Sequence, residues 1–137
     1  MRIFLSHKKG VEEAEIEEHR QAILSNLRGD GVPDVEIVTG MEDFQRNIAS
    51  DGSFGAWAAN VVERRDNFTG QRYYDAVFSV GYSLGKATAQ IVGAAFSRGL
   101  PVVVSEKLDC GSFEFRRGTQ LVVEDAEDYA NGWWIDT

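Results

Sequence analysis

Hydrophobic residues along this chain fall into short continuous runs that are separated by longer amphipathic segments. The first run, Ile3 to Leu5, predicts a buried strand, and Val35 to Val38 predicts a second one. Between them, from Val11 to Arg28, acidic residues crowd the front and basic residues come later, which matches the macrodipole of a helix. The N-terminal part of the chain therefore predicts a β-α-β unit.

The same alternation continues through the rest of the sequence, although Met41 to Gly52 has no clean period and predicts a long loop or a short helix. The strands are apolar throughout rather than at every second position, which is typical of a parallel sheet covered on both faces. We expect one doubly wound α/β domain over residues 1–137, with a mostly parallel five-stranded sheet and helices on both faces. The remaining predicted strands are Ala76 to Val80, Pro101 to Val104 and Thr119 to Glu124, and the remaining helices are Phe54 to Asp66, Gly85 to Arg98 and Asp125 to Ala130.

Charge and cysteine content narrow the classes of partner. A formal net charge of -8 argues against nonspecific nucleic-acid binding, which depends on Lys and Arg releasing counterions from phosphates. The single cysteine, Cys110, cannot form an internal disulfide, and His7 and His19 are too far apart for a metal-ligand motif. The chain begins on a strand and contains no run of bilayer-spanning length. We expect a cytoplasmic protein with no metal, no cofactor and no membrane partner.

In doubly wound sheets, ligands bind beyond the carboxyl ends of the strands, where the strand order reverses. One loop at this edge joins the strand that ends at Val80 to the helix that begins near Gly85, so its glycines and the helix N-terminus could hold a phosphate or ribose. Its glycine spacing is too short for a Walker A loop, and Ala87 follows the lysine, which excludes that motif. The alternative is a tight turn beside a solvated lysine. The candidate ligand-binding residues here are Gly81, Ser83, Gly85, Lys86 and Thr88.

Other loops at the same edge add further candidates. Ser6 and His7 follow the first strand, and the histidine could contact a base or titrate near neutral pH, or simply be a capped loop residue. Glu42 and Asp43 follow the second strand, where one could orient a sugar hydroxyl or act as a base, or both could be solvated. Four loops in all follow the carboxyl ends of the predicted strands and could bind a ligand: Ser6 to Gly10, Thr39 to Gly52, Gly81 to Lys86 and Ser105 to Gly111.

Three side chains on the predicted helix after Ser53 could either contact a ligand or have only a structural role. Trp57 could pack over a ligand, but Val61 lies on the same helical face, which favours a core position. Arg64 and Arg65 could reach a 5′-phosphate, or could form a solvated outer face.

The segment from Thr88 to Val102 resembles the stretch of nucleoside 2-deoxyribosyltransferases usually written GTAFEIGYAYALGKPV. Upstream, Glu63 to Asp66 followed by Tyr74 to Phe78 is similar to that family's helix ending in an Arg-Asp pair and its Asp-led strand. The likeness covers most of Val61 to Val104. The identical positions, in an ungapped register, are Thr88, Ala89, Gly93, Ala95, Gly99, Pro101 and Val102.

This resemblance implies transfer or hydrolysis of an N-glycosidic bond, in which a glutamate attacks the anomeric carbon and an aspartate helps the base to leave. The chain departs from the family there. Ile91 stands at the glutamate position with Gln90 one place earlier, and the aspartate position falls near Ser79 or Val80. An enzyme would need Glu42 or Asp43 as the missing carboxylate, with Gln90 orienting the sugar.

Three functions stay open. The first two have a nucleoside or nucleotide as the expected small-molecule partner. The chain could be an enzyme acting on N-glycosidic bonds, or a nucleotide sensor or sequestering protein that lost the nucleophile. It could instead be a protein-interaction module, a homo-oligomer joined through Trp133-Trp134, although docking of that end onto its own domain is the preferred interpretation.

Phe4 to His7 also resembles the first strand of TIR domains, some of which cleave NAD with a glutamate that has no clear counterpart here.

Overall fold

The computed structural model describes residues 1–117 and 122–123. It is an α/β protein with four helices and a five-stranded, mostly parallel sheet. In chain order the elements are β1 (Arg2–Ser6), α1 (Glu13–Gly29), β2 (Glu36–Thr39), α2 (Gly40–Asp51), α3 (Phe54–Asn60), a 3-10 turn (Val61–Glu63), β3 (Ala76–Val80), β4 (Ser83–Leu84), α4 (Lys86–Ser97), β5 (Val102–Lys107), β6 (Phe113–Arg117) and β7 (Val122–Val123).

The main sheet has the strand order β2-β1-β3-β5-β6, in which β6 runs antiparallel to β5 and the other pairs are parallel. The order places β1 and β3 side by side, with Ile3 opposite Ala76 and Ser6 opposite Ser79. From β1 the chain continues to β2, which lies on one flank of β1 within the sheet. From β2 it passes over to β3, which lies on the opposite flank of β1. The order therefore reverses between β1 and β3.

The fifth strand of the sheet is not the one that the sequence predicts. It is β6, which follows β5 through a short turn where Gly111 adopts φ +90°. An antiparallel neighbour needs only such a turn, and β6 is half-exposed at the sheet edge, so it lacks a continuous apolar run. Of the predicted strand Thr119 to Glu124, Val122–Val123 is extended but pairs with β4 in a separate sheet. The rest of that strand, the predicted helix Asp125 to Ala130 and Trp133-Trp134 lie outside the described residues.

Alternate residues of the strands belong to two separate hydrophobic clusters. Phe4 of β1 and Val77 of β3 pack with Trp57 of α3 and Ile91 of α4. The neighbouring residues along the same strands, such as Ile3 and Phe78, pack with Ile16 and Ile23 of α1.

Of the segment Met41 to Gly52, predicted as a long loop or a short helix, all but the last residue lies in the 12-residue helix α2. Thr39 caps this helix: its hydroxyl accepts from the backbone N–H of Glu42 at 3.2 Å, and the Glu42 carboxylate accepts from the backbone N–H of Thr39 at 2.9 Å. This is a capping box, and Gly52 at φ +88° ends the helix. The cap fixes the direction in which α2 leaves the end of β2.

Within the described part of the chain, no helix combines the length and the apolar character that crossing a membrane requires.

Candidate functional site

A cavity of about 610 Å³ opens where β1 and β2 end and where α2 and α4 begin. We call it the main cavity. Ser6 ends β1 and Gly40 directly follows β2, so the cavity lies at the carboxyl edge of the sheet. Its described lining residues are Phe4, Ser6, His7, Lys8, Lys9, Gly40, Met41, Phe44, Phe54, Trp57, Gly85, Lys86, Ala87, Thr88 and Ile91.

Three aromatic rings contact one another in one wall of the main cavity. The ring centroids of Phe44 and Trp57 are 5.3 Å apart, those of Phe54 and Trp57 are 5.5 Å apart, and those of Phe44 and Phe54 are 5.6 Å apart. Trp57 is buried, whereas Phe54 keeps 57% of its surface exposed. An exposed aromatic ring beside a buried one offers a flat apolar surface to a ligand.

The polar part of the lining is basic. Lys8, Lys9 and Lys86 line the main cavity, and its described lining contains no aspartate and no glutamate. Residues 86–88 form the first turn of α4, a 12-residue helix whose N-cap, Gly85, supplies no side-chain cap. The positive end of the helix dipole adds to the lysine charges at this point. The described lining of the main cavity thus combines aromatic, aliphatic and basic side chains.

His7 joins two sides of the main cavity. The backbone N–H of Met41 donates to its Nε2 at 3.3 Å, so this nitrogen is an acceptor. Its Nδ1 lies 3.4 Å from the carbonyl oxygen of Lys8, which places the proton on Nδ1. Burial lowers the pKa of His7 below its usual value of 6.5. The ring is therefore neutral at neutral pH and holds the loop after β1 against the start of α2.

The structure brings some of the sequence-predicted site residues together and separates others. Ser6, His7, Gly85, Lys86 and Thr88 all line the main cavity. The hydroxyl of Thr88 donates to the carbonyl oxygen of Gly85 at 2.9 Å, which orders the turn that enters α4.

The other predicted residues are not part of the described lining. Gln90 is exposed on α4, and Ser83 lies in β4. The backbone N–H of Gly81, at φ +75°, donates to the carbonyl oxygen of Ser105 at 2.9 Å. The loop Ser105 to Gly111 contributes no described residue to the main cavity.

Glu42 serves the helix cap. Besides Thr39, its carboxylate accepts from Arg20 Nη2 at 2.9 Å. Burial alone would raise the pKa of Glu42, but the hydrogen bond from the Thr39 backbone and the charge of Arg20 lower it on balance. The carboxylate is ionised and engaged between α1 and α2, away from the main cavity.

Asp43 lies behind the aromatic wall, with only 2% of its surface exposed. Its carboxylate accepts from Trp57 Nε1 at 2.8 Å, from Arg64 Nη2 at 3.2 Å and from the Tyr74 hydroxyl. Asn47 Nδ2 is a further donor at 3.2 Å. Burial, and then the negative charge and hydrogen bond of Asp43, raise the pKa of Tyr74, which stays protonated. Asp43 therefore fixes the indole of Trp57 from outside the main cavity.

Ile91, which stands at the glutamate position of the family resemblance, is fully buried and lines the main cavity. An aliphatic side chain thus lies where the resemblance implies a nucleophile. Lys8, Lys9 and Phe44 lie in loops that the sequence places at the ligand edge, but they were not named as site residues, and neither was Phe54. The two lysines had a readable signal, because they directly follow His7 in a loop at the predicted ligand edge.

Among the described residues, no group of three or more His, Cys, Asp or Glu side chains is arranged to hold a metal ion.

No protein-family model, no curated protein and no solved structure matches this chain.

Proposed function

We propose that this protein binds a nucleotide in the main cavity and acts as a nucleotide sensor or sequestering protein. The observation that carries the proposal is the composition of the lining, which combines the aromatic wall of Phe44, Phe54 and Trp57 with Lys9 and the N-terminus of α4. Aromatic side chains stack on nucleobases, and lysines with a helix N-terminus attract phosphate. The cavity volume of about 610 Å³ lies in the usual range for small-molecule sites.

The arrangement of the sheet supports this location. We propose that the fold is doubly wound, with α1 on one face and α3 and α4 on the other, because the two hydrophobic clusters take alternate residues of each strand. In such folds ligands bind where the strand order reverses. Here the order reverses between β1 and β3, and the main cavity takes its lining from the end of β1 and the start of α4.

We propose a binding role rather than catalysis because the described lining offers no carboxylate. The resemblance to nucleoside 2-deoxyribosyltransferases remains part of the proposal, since it accounts for a nucleoside-shaped site at this edge. A covalent mechanism of that family would require a carboxylate nucleophile, which Ile91 cannot supply. The Glu42 carboxylate already accepts from Arg20. The Asp43 carboxylate already accepts from Trp57, Tyr74 and Arg64.

The remaining expectations about partners and compartment also stay proposals. We propose that the protein works in the cytoplasm without nucleic acid, because Cys110 is exposed as a free thiol and the net charge is -8.

The test is ligand-induced thermal stabilisation across nucleosides, nucleoside monophosphates, NAD and cyclic nucleotides, with chromatography of each mixture for released base. A ligand at 100 times its Kd stabilises the native state by about 2.7 kcal/mol, which for a chain of this size raises Tm by roughly 5 to 10 °C. We expect at least one nucleotide to give this shift without releasing base.

Matched variants locate the site. Phe54→Ala removes an exposed ring of the main cavity, whereas Phe68→Ala removes a ring that is 98% exposed and outside its described lining. We expect the first variant to lose roughly tenfold in affinity, as for one base-aromatic stack, and the second to bind normally. Release of base would instead support an enzyme, and the absence of any shift would reject nucleotide binding.

A further inference from the structure

A second concavity, of about 380 Å³, lies on the other side of Asp43 from the main cavity. We call it the arginine pocket. Its described lining shares no residue with the main cavity: Trp57 lines the main cavity, and its Nε1 donates to Asp43, which lines the arginine pocket. The described lining residues that could bind a ligand are Arg46, Arg64, Arg65, Asn67 and Tyr73.

The charges around the arginine pocket do not cancel. Its described lining has three arginines and one carboxylate, Asp43, in a chain whose net charge is -8. Asp43 is buried, and it already accepts from Trp57, Tyr74 and Arg64. The only carboxylate of this lining is therefore occupied, and a positive charge remains.

The three arginines differ in what already holds them. Arg64 is fixed by two carboxylates, Asp51 at 2.7 Å and Asp43 at 3.2 Å. Its Nε is buried and has no hydrogen-bond partner in the described structure. Arg46 and Arg65 are exposed, and neither makes an ion pair with any described residue. These two guanidinium groups are the ones that can turn toward a ligand.

Neutral and cationic neighbours complete the surroundings. Asn67 is exposed at the rim of the pocket, and Tyr73 forms part of its wall. The guanidinium carbon of Arg2 lies 4.2 Å from the centre of the Tyr73 ring, so this ring is already covered by a cation on one face. Asp66 is the nearest acid in sequence to Asn67, and Arg2 neutralises it at 2.7 Å.

We propose that the arginine pocket binds a phosphate group, with Arg46 and Arg65 as its main ligands. Guanidinium groups match the geometry of phosphate oxygens, and their hydrogen bonds are charge-assisted. The occupant is inorganic phosphate or the phosphate of a small phosphomonoester, and the same ligands serve either source. The pocket is separate from the main cavity, so this site does not depend on the proposed function.

The test measures the Kd of inorganic phosphate and of glycerol phosphate by titration calorimetry, at constant ionic strength set with chloride. The background carries Lys9→Gln, which lowers anion binding in the main cavity. We expect Arg46→Gln/Arg65→Gln to raise the Kd roughly tenfold or more, because charge-assisted hydrogen bonds are lost. Arg28→Gln makes the same charge change per residue at the exposed end of α1 and should leave the Kd within about twofold.

A second variant keeps the test decisive if the double change alters folding. Asn67→Asp places a repelling carboxylate at the rim of the arginine pocket and should also weaken phosphate binding. Tighter binding of glycerol phosphate than of phosphate assigns the site to phosphomonoesters, and equal binding assigns it to the phosphate group alone. Phosphate binding that is equal in the Lys9→Gln background with and without Arg46→Gln/Arg65→Gln or Asn67→Asp, or that is matched by chloride, overturns the proposal. Loss of nucleotide binding in the main cavity leaves it unaffected.

Discussion

Replacing Asp43 with alanine should strongly destabilise the protein, although Asp43 is no more than a neighbour of the main cavity. The change removes a carboxylate that is 2% exposed and holds the side chains of α3 and of the segment before β3. Trp57 Nε1, 2.8 Å away, and the Tyr74 hydroxyl lose their acceptor. Arg64 loses one carboxylate but keeps Asp51 at 2.7 Å.

The magnitude follows from these contacts. Each buried donor left without an acceptor costs about 1–3 kcal/mol, and Trp57 and Tyr74 are 5% and 2% exposed. Two such donors, and a smaller loss at Arg64, give roughly 3–5 kcal/mol, which agrees with the usual cost of removing one partner of a buried charged pair. For a chain of this length the expected fall in Tm is on the order of 10–15 °C.

Urea unfolding followed by circular dichroism measures this free energy, and Asp43→Asn is the matched control. The asparagine keeps the shape, its carbonyl can still accept from Trp57, and its amide can donate to the Tyr74 oxygen. It should cost about 1–3 kcal/mol, less than the alanine, because it loses the charge facing Arg64 and the acceptor of the Tyr74 O–H but keeps the acceptor of Trp57. A loss below about 1 kcal/mol for Asp43→Ala, or equal losses for both variants, would refute the reasoning.

Three further changes test other parts of the structure. Burial lowers the pKa of both His7 and His19 below 6.5, so below that pH the unfolded chain binds protons that the native state does not. The free energy of unfolding measured in urea should therefore fall as the pH drops through about 6.5. His7→Gln and His19→Gln should each weaken this pH dependence above about pH 5.5, where carboxylates have yet to titrate. Thr39→Ala removes the cap of α2 and should lower the free energy of unfolding by about 1 kcal/mol, whereas Thr39→Ser, measured alongside it in urea, should not. Gly85→Ala should lower Tm by only a few degrees, because the added Cβ would lie 3.6 Å from Lys8 Cβ at ordinary contact distance and the cost is limited to a poorer N-cap of α4. Calorimetry should show weaker nucleotide binding, because the methyl group enters the lining of the main cavity.

The strands that lie inside the sheet were predictable from their continuous apolar runs, whereas β6 and α2 were harder to recognise. β6 alternates apolar and charged residues at the sheet edge, so the continuous run that marks a buried strand is missing. In α2 the buried positions are Gly40 and Asp43, a small and a charged residue, which hides the helical period. The capping box of Thr39 and Glu42 was the readable signal for that helix.

The site was predictable as far as the strand ends determine it. Ser6, His7 and Lys86 were named because the carboxyl edge of a parallel sheet gathers the loops that follow its strands. The rings of Phe44 and Phe54 are in contact because α2 packs against α3, and no local sequence pattern predicts that contact. The buried state of Asp43 likewise depends on partners that come from 14 and 31 residues further along the chain.

The most direct test of nucleotide binding in the main cavity is titration calorimetry of the nucleotide that stabilises the protein most, alongside its nucleoside. We expect one nucleotide to bind per chain, and the nucleoside to bind more weakly because it offers no phosphate to Lys9 and the N-terminus of α4. Phe54→Ala should raise the Kd roughly tenfold, whereas Phe68→Ala should not. Nucleotide binding in the main cavity is ruled out if no nucleotide binds, or if Phe54→Ala and Lys9→Gln bind the nucleotide as tightly as the wild type.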